Sequence, residues 1–236
     1  MTTPRTTYSA GESVASVTMD DGKVNVMSLA MQAEIHQALD RAQSDGLVVF
    51  LTGRPGVFSA GFDLATIRGG GPQATDMVHG GFELAERILA FPRPVVMACT
   101  GHAIAMGLFL LLSGDYRVGV DGPYRLTANE VAIGLTMPRA AVEILRQRLT
   151  PAAFNRAVTV AAPFSPAGAV EAGIFDELAG PTELGERAAA VAESCANLDR
   201  RAHAASKLRA RRPTLEALRA AIEADLAAVQ ATDGST

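Results

Sequence analysis

The chain has 236 residues, 48 % of them apolar, a formal net charge of −4 and a pI near 5.6. That length and apolar content suit one domain, or one domain with a helical appendage, around a sizeable core. The acidic balance argues against nucleic acid as a partner, and the two cysteines, Cys99 and Cys195, argue against a disulfide framework and for a reducing compartment.

Residues 1–11 read as a loose polar lead-in with no apolar stretch of the secretory kind, so a cytoplasmic location is expected. Alternation from Ser13 to Met19 predicts a strand. Asp20-Asp21-Gly22-Lys23 makes a turn, and Val24 to Leu29 a short strand or extended segment. Met31, Ile35, Ala38 and Leu39 share one face of a helix over Met31–Ala42. A strand over Leu47–Leu51 leads to the stretch Phe58-Ser59-Ala60-Gly61-Phe62-Asp63-Leu64, and Gly69-Gly70-Gly71-Pro72 reads as a mobile loop before a helix from Gln73 to Leu89. Val95–Cys99 is a strand. Ala103–Leu112, closed by Ser113, Gly114 and Asp115, is too short to span a bilayer and reads as a buried helix, so no membrane partner is expected. Short strands at Tyr116–Val120 and Tyr124–Leu126 flank a turn at Asp121-Gly122-Pro123. Helices are predicted at Pro138–Leu149, Pro151–Ala162, Ser165 to Gly173, Leu184–Ala196, Arg201–Ala210 and Pro213–Ala231. The alternation of strands and helices argues for an α/β fold with largely parallel strands.

Two strand–glycine–helix junctions, at Phe58–Leu64 and Ala103–Phe109, organise this pattern. Such junctions leave backbone N–H groups unpartnered at a helix start, where the helix dipole favours negative charge. Facing each other, two of them can hold one developing oxyanion. Either one alone is as readily the end of a buried strand.

The wording of these stretches carries a resemblance. Phe-Ser-Ala-Gly-Phe-Asp-Leu resembles the F-x-A-G-x-D-L signature of the crotonase superfamily, the enoyl-CoA hydratases and isomerases. Arg93-Pro94-Val95-Val96-Met97-Ala98-Cys99-Thr100-Gly101-His102-Ala103 is similar to its K/R-P-V-(I/V)-A-A-V-N-G-x-A segment, and Asn129-Glu130-Val131-Ala132-Ile133-Gly134-Leu135 to its P-E-x-x-x-G-L. The resemblance covers roughly residues 10 to 180. It implies a ClpP-like crotonase spiral of ββα units over 1–180, and a helical region over 181–236 that packs on its own core or on a neighbour's in a homotrimer or homohexamer.

By the same resemblance, the oxyanion donors are the amides of Phe62 and Met106, and Glu130 is the base. Lys23, Val24, Val26, Ala60, Asp63, Leu64 and Phe109 contribute to the coenzyme A and substrate site. The substrate implied is a coenzyme A thioester, with no permanently bound cofactor and no metal. The family writes Gly-Gly-Gly at Ala105-Met106-Gly107, so Met106 is expected to need a geometry that glycine reaches more easily; core filling is its other reading. Glu130, beside Val131, Ala132 and Ile133, is either an exposed turn residue or a desolvated base. The family's first catalytic glutamate maps onto Phe109, which can neither orient water nor carry a proton. That leans towards double-bond isomerisation with one carboxylate, then hydration. Thioester hydrolysis and decarboxylation stay open, as does a non-catalytic acyl-CoA binder.

Lesser residues follow. His102 reads as a buried, hydrogen-bonded histidine, His79 as either acyl-pocket lining or surface, and Asp63 as a helix cap. Asp115 reads as the tie of a turn. The basic stretch Arg200, Arg201, Lys207, Arg209, Arg211 and Arg212 reads as a solvated face or as phosphate contacts. The acyl pocket is expected around Phe62, Met77, His79 and Phe109.

Overall fold

The structure, a computed structural model, describes residues 4–233. Residues 1–3 of the expected lead-in and 234–236 of the helical tail lie outside the described residues. Among the described residues, nine strands form two sheets. The larger has the order β1 (Thr6–Ala10), β2 (Val14–Met19), β3 (Val48–Thr52), β5 (Val95–Cys99), β7 (Tyr116–Val120) and β9 (Glu177–Ala179). Its β1–β2 pair is antiparallel and every other pair parallel. The smaller sheet has the order β4 (Gly56–Ser59), β6 (Gly101–Ile104) and β8 (Leu126–Thr127), all parallel.

Each turn of the chain therefore gives one strand to each sheet and then a helix. The first such turn is β3, β4, α2 (Leu64–Gly69) and α3 (Gly71–Ala90); the second is β5, β6 and α4 (Met106–Leu112). The registers Ser59↔Ala103 in β4–β6 and Ala103↔Leu126 in β6–β8 hold neighbouring turns in step. Helices α1 (Leu29–Asp45), α5 (Arg139–Arg146), α6 (Pro151–Val160) and α7 (Pro166–Ala172) complete the body. Ser28 caps α1 by accepting from the Met31 amide, and Ser165 caps α7 by accepting from that of Gly168.

Side-chain alternation in the larger sheet splits the core. Val49, Leu51, Val95, Met97 and Cys99 face the main core. Val48, Val96, Ala98 and Val118 face the opposite layer, which α8 (Leu184–Ala196) covers with Leu184, Ala188 and Ala192. The C-terminal helix α9 (Arg200–Asp233) lies against α3 and α5 of its own chain and sends Leu218, Ala221 and Ile222 into the main core.

Several sequence expectations need correction. Thr6–Ala10 is an edge strand rather than lead-in; Glu34 of α1 holds its start, accepting from the amides of Arg5 and Thr6. Within Val24–Leu29 the only ladder contact is a bridge between Val26 and Gly61. The Gly69–Pro72 stretch is the joint between two helices: Gly69 ends α2, Gly70 turns the chain and Gly71 opens α3. The run Ala103–Leu112 is not one helix, since Ala103 and Ile104 belong to β6. Pro213 does not divide the tail, because α9 runs through it. Its ring removes one helical donor, and the packing of the flanking turns on α3 and α5 outweighs that loss.

The basic stretch is also not a uniform solvated face. Lys207 is buried and its ammonium donates to Asp115 Oδ2 at 2.7 Å. Arg211 reaches Asp115 Oδ1 at 3.1 Å and donates to the Leu89 carbonyl at 2.9 Å. Asp115 in turn accepts from the Val95 amide, so one carboxylate fastens α9 to the start of β5. Arg201, Arg209 and Arg212 remain exposed.

Candidate active site

The two junctions meet. Gly61 has φ +85°, a left-handed conformation reserved in practice for glycine. A Cβ there would lie 2.8 Å from the Ile104 carbonyl oxygen, 3.1 Å from the Ala105 Cβ and 3.2 Å from the Met106 nitrogen. A Cβ at Gly107 would come closer still, 2.4 Å from the Ser59 carbonyl oxygen. Neither the Phe62 nor the Met106 amide has an acceptor among the described residues. Two free N–H groups thus stand at the ends of two abutting loops.

The strained residue of the second junction is Ala105, not Met106 as expected. Ala105 has φ +49° and ψ −122° and precedes α4, whereas Met106 takes an ordinary helical first position and is fully buried. Ala105 is held there from both sides. Its amide donates to the Thr127 carbonyl, and its own carbonyl accepts from Leu108 and Phe109.

The first junction is braced by the segment before it. Asp21 gathers the amides of Lys23, Asn25 and Val26 onto its carboxylate. Asn25, fully buried with φ +53°, donates through Nδ2 to the carbonyls of Met19 and Phe58. Ser59 donates to the Asn25 carbonyl at 2.7 Å and accepts from the Gly61 amide at 3.1 Å. The Ala60 amide donates to the Val24 carbonyl, and the Met27 amide to that of Gly61. Lys23, Val24, Val26 and Ala60 are thereby brought into one strip beside Phe62. Asp63 caps α2, accepting from the Ala65 amide and the Thr66 hydroxyl, as expected. Leu64, one residue on, is exposed.

Glu130 sits on the third turn of the spiral, just beyond β8. It is 7 % exposed, so the exposed-turn reading fails. Its Oε2 is buried with no hydrogen-bond partner among the described residues. Burial pushes its pKa up to about 7, against a smaller opposing pull from its own backbone amide. This is a carboxylate poised between protonation states at neutral pH.

Several known proteins are similar to this chain. A model of the family "Enoyl-CoA hydratase/isomerase" matches residues 9–235. The chain belongs to the crotonase superfamily. The crystal structure of a probable enoyl-CoA hydratase, EchA3, from Mycobacterium tuberculosis H37Rv is 46 % identical, superposes with a TM-score of 0.94 and shares 98 % of each chain. An apo structure named as the Mtb enoyl-CoA isomerase is 47 % identical with a TM-score of 0.91, covering 95 % of this chain and 98 % of that one. The human mitochondrial enoyl-CoA delta isomerase 1 is 31 % identical over 178 residues, which is 72 % of this chain but 58 % of that protein. The chain therefore spans well under two thirds of the length of that curated relative.

The remaining candidate residues lie around the two junctions or line a neighbouring cavity. Phe109 is buried on α4, its ring stacked on Phe82 at 6.1 Å, and Phe82 meets the Phe62 ring edge-on at 6.2 Å. His102 accepts from the Arg125 amide through Nδ1 and meets the Tyr124 ring edge-on; it is half-buried. A cavity of about 620 Å³ lies between α2, α3, the segment Thr136–Arg139 and α9. His79 lines it, but Phe62, Met77 and Phe109 do not; Phe82 is the aromatic residue in its wall. Among the described residues, no group of three or more His, Cys, Asp or Glu is placed to hold a metal ion, and no helix is long and apolar enough to cross a membrane.

Sequence reasoning passed over Asn25, Phe82 and Ala105. Asn25 had a signal, since asparagine tolerates the left-handed region and follows an Asp-Gly turn. Phe82 had none, being one apolar helix residue among several.

Proposed function

We propose that the chain is an acyl-CoA enzyme that moves a double bond, converting a 3-enoyl thioester to its 2-enoyl isomer through a thioester enolate. The observation that carries this reading is a buried carboxylate, Glu130, whose Oε2 has no partner among the described residues and whose pKa burial pushes up to about 7. It sits on the turn of the spiral that follows the one carrying the Met106 amide, which like that of Phe62 has no acceptor among the described residues. The thioester oxygen would accept from the Phe62 and Met106 amides. Glu130 would take a proton from C2, the electron pair would spread over a dienolate with its charge on that oxygen, and the protonated Glu130 would return the proton at C4. No water enters and no second acid is required, which suits Phe109 at the position where a hydratase of this family has its other glutamate. A donor pair of this kind typically contributes about 10²–10³ in rate per amide. A base with a pKa near the working pH loses little to misprotonation. The strip Lys23–Val26 with Ala60 would flank the pantetheine and adenine ends.

The exposed apolar side chains of Val131, Ile133 and Leu135, next to Glu130, support assembly with further copies; the number, a trimer or a pair of trimers, is what the family resemblance implies. Light scattering on the purified chain reads that directly.

The deciding assay offers purified protein 3-enoyl-CoA and 2-enoyl-CoA, following the 2-enoyl chromophore, with Glu130→Gln alongside. Isomerisation abolished by the substitution supports the reading. Coenzyme A esters bound without turnover, equally well by both proteins, would instead mark a non-catalytic acyl-CoA binder.

A further inference from the structure

Outside the candidate active site, buried cations gather where α8 meets α9. Arg93 is only 5 % exposed, and its Nε and Nη1 are shielded from solvent with no hydrogen-bond partner among the described residues. Its Nη2 reaches the carbonyl of Ala196, the last residue of α8, at a long 3.5 Å. Burial first, and then the cation of Arg200 at the start of α9, lower the pKa of this guanidinium. A buried charge without a counter-charge is strongly unfavourable.

The carboxylates close by are engaged elsewhere. Asp115 holds Lys207, Arg211 and the Val95 amide. Asp199 caps α9, accepting from the Ala202 amide at 2.7 Å. The amides of Arg200 and Arg201 are left without acceptors among the described residues, at the positive end of a helix of 34 residues. His203, one turn further on, has a buried Nε2 with no partner and lies within the field of Arg93, Lys207 and Arg211 as well as Asp115. Arg93 and Arg200 are thus two like charges in range of each other, with neither in an ion pair among the described residues.

We infer that this junction is an oxyanion site, in which Arg93, Arg200 and the Nε2–H of His203 hold one inorganic tetrahedral anion, phosphate or sulfate, between the end of α8 and the start of α9. The anion replaces repulsion between the two guanidiniums by attraction to both, and so ties the start of α9 to the approach to β5. Entry is by way of the α8–α9 connection, where Asn197, Leu198, Asp199 and Arg200 are all exposed. The site is separate from the one above. Arg93 precedes β5 and Met106 follows β6, so roughly 16 Å of extended β5 chain lies between Arg93 and the turn that leads to Met106.

The test follows thermal unfolding of the full chain by circular dichroism against inorganic phosphate and, separately, sulfate, with sodium chloride holding the ionic strength constant. The midpoint should rise saturably, by about 3–6 °C at ten times the dissociation constant, and calorimetry should count one anion per chain. Arg93→Met removes the buried charge and keeps an unbranched apolar stem. Without phosphate it should unfold no lower than the unaltered chain, and the phosphate-dependent rise should be gone. Arg200→Ala, at an exposed position, is the second variant and should weaken phosphate at least fivefold. A midpoint that follows ionic strength alone overturns the inference, as does a rise kept in full by either folded variant. Phosphate titrated with coenzyme A in excess should bind with unchanged affinity; displacement by coenzyme A would assign the anion to the substrate site and overturn it too. None of these readouts depends on turnover, so failure of the isomerase assay leaves them standing.

Discussion

Replacing Glu130 with glutamine should make the protein more stable at the pH where it works. In the folded chain burial holds the proton on Glu130 up to about pH 7, whereas the unfolded chain releases it near 4.5. Between those values the native state binds the extra proton, so stability falls as pH rises; the loss is absent below about 4.5 and complete above about 7. At 1.36 kcal/mol per pH unit the full loss is roughly 3 kcal/mol. Glutamine keeps the shape and cannot ionise, so Glu130→Gln should escape it. Urea denaturation followed by circular dichroism at pH 5, 6, 7 and 8, at fixed ionic strength, reads the difference. The variant's advantage should widen by roughly 2 kcal/mol from pH 5 to 8, a midpoint shift on the order of 1 M urea, while the turnover proposed above is lost. An advantage that stays constant across the four pH values would refute the argument, because a group that titrates normally when folded has no such dependence.

The same carboxylate should shape catalysis: kcat/KM should climb with pH to a plateau above about 7, the limb belonging to the free enzyme and vanishing with any residual activity of Glu130→Gln. Gly61→Ala should cost at least 2 kcal/mol in denaturant unfolding, since the new methyl meets the Ile104 carbonyl at a φ suited to glycine. It should also lower kcat about 10²–10³-fold by displacing the Phe62 amide. Ala105→Gly should break the usual rule that glycine weakens a protein. Relief of about 1–3 kcal/mol of backbone strain outweighs about 0.5–1 kcal/mol of added chain entropy, and a drop in melting temperature would contradict this. Asp115→Asn strands Lys207 and Arg211 in a buried setting and should destabilise by about 3–5 kcal/mol, visible as a lowered urea midpoint with the unfolding slope unchanged.

The site was legible where chemistry is written in the backbone and illegible where it depends on packing. Phe58–Leu64 could be read because glycine and aspartate flank Phe62 for reasons local to the chain, a left-handed φ and a helix cap. Glu130 could be placed by its motif, but its burial could not be read, since Val131, Ala132 and Ile133, the apolar neighbours that suggested a sheltered site, are themselves exposed. The strain at the second junction lies one residue before the expected Met106, and a non-glycine at either position looks equally awkward in the sequence. Only the bonds from Ala105 to Thr127, Leu108 and Phe109 decide which residue bears it. The tail misled for a different reason. Proline usually ends a helix, and a run of arginines usually faces water, but contacts made a hundred residues away overrode both at Pro213, Lys207 and Arg211.

The registers of the small sheet have one more implication. Ser59 pairs with Ala103 and Ala103 with Leu126, so Phe62 and Met106 stand three steps past paired residues and Glu130 four. All three are nearly the same address visited on consecutive coils. The strands that lead to them stand roughly 4.8 Å apart, the spacing of hydrogen-bonded neighbours, which peptide groups rather than side chains set. Evolution could exchange glycine for methionine or glutamate for phenylalanine around this centre and still leave its scaffold in gauge.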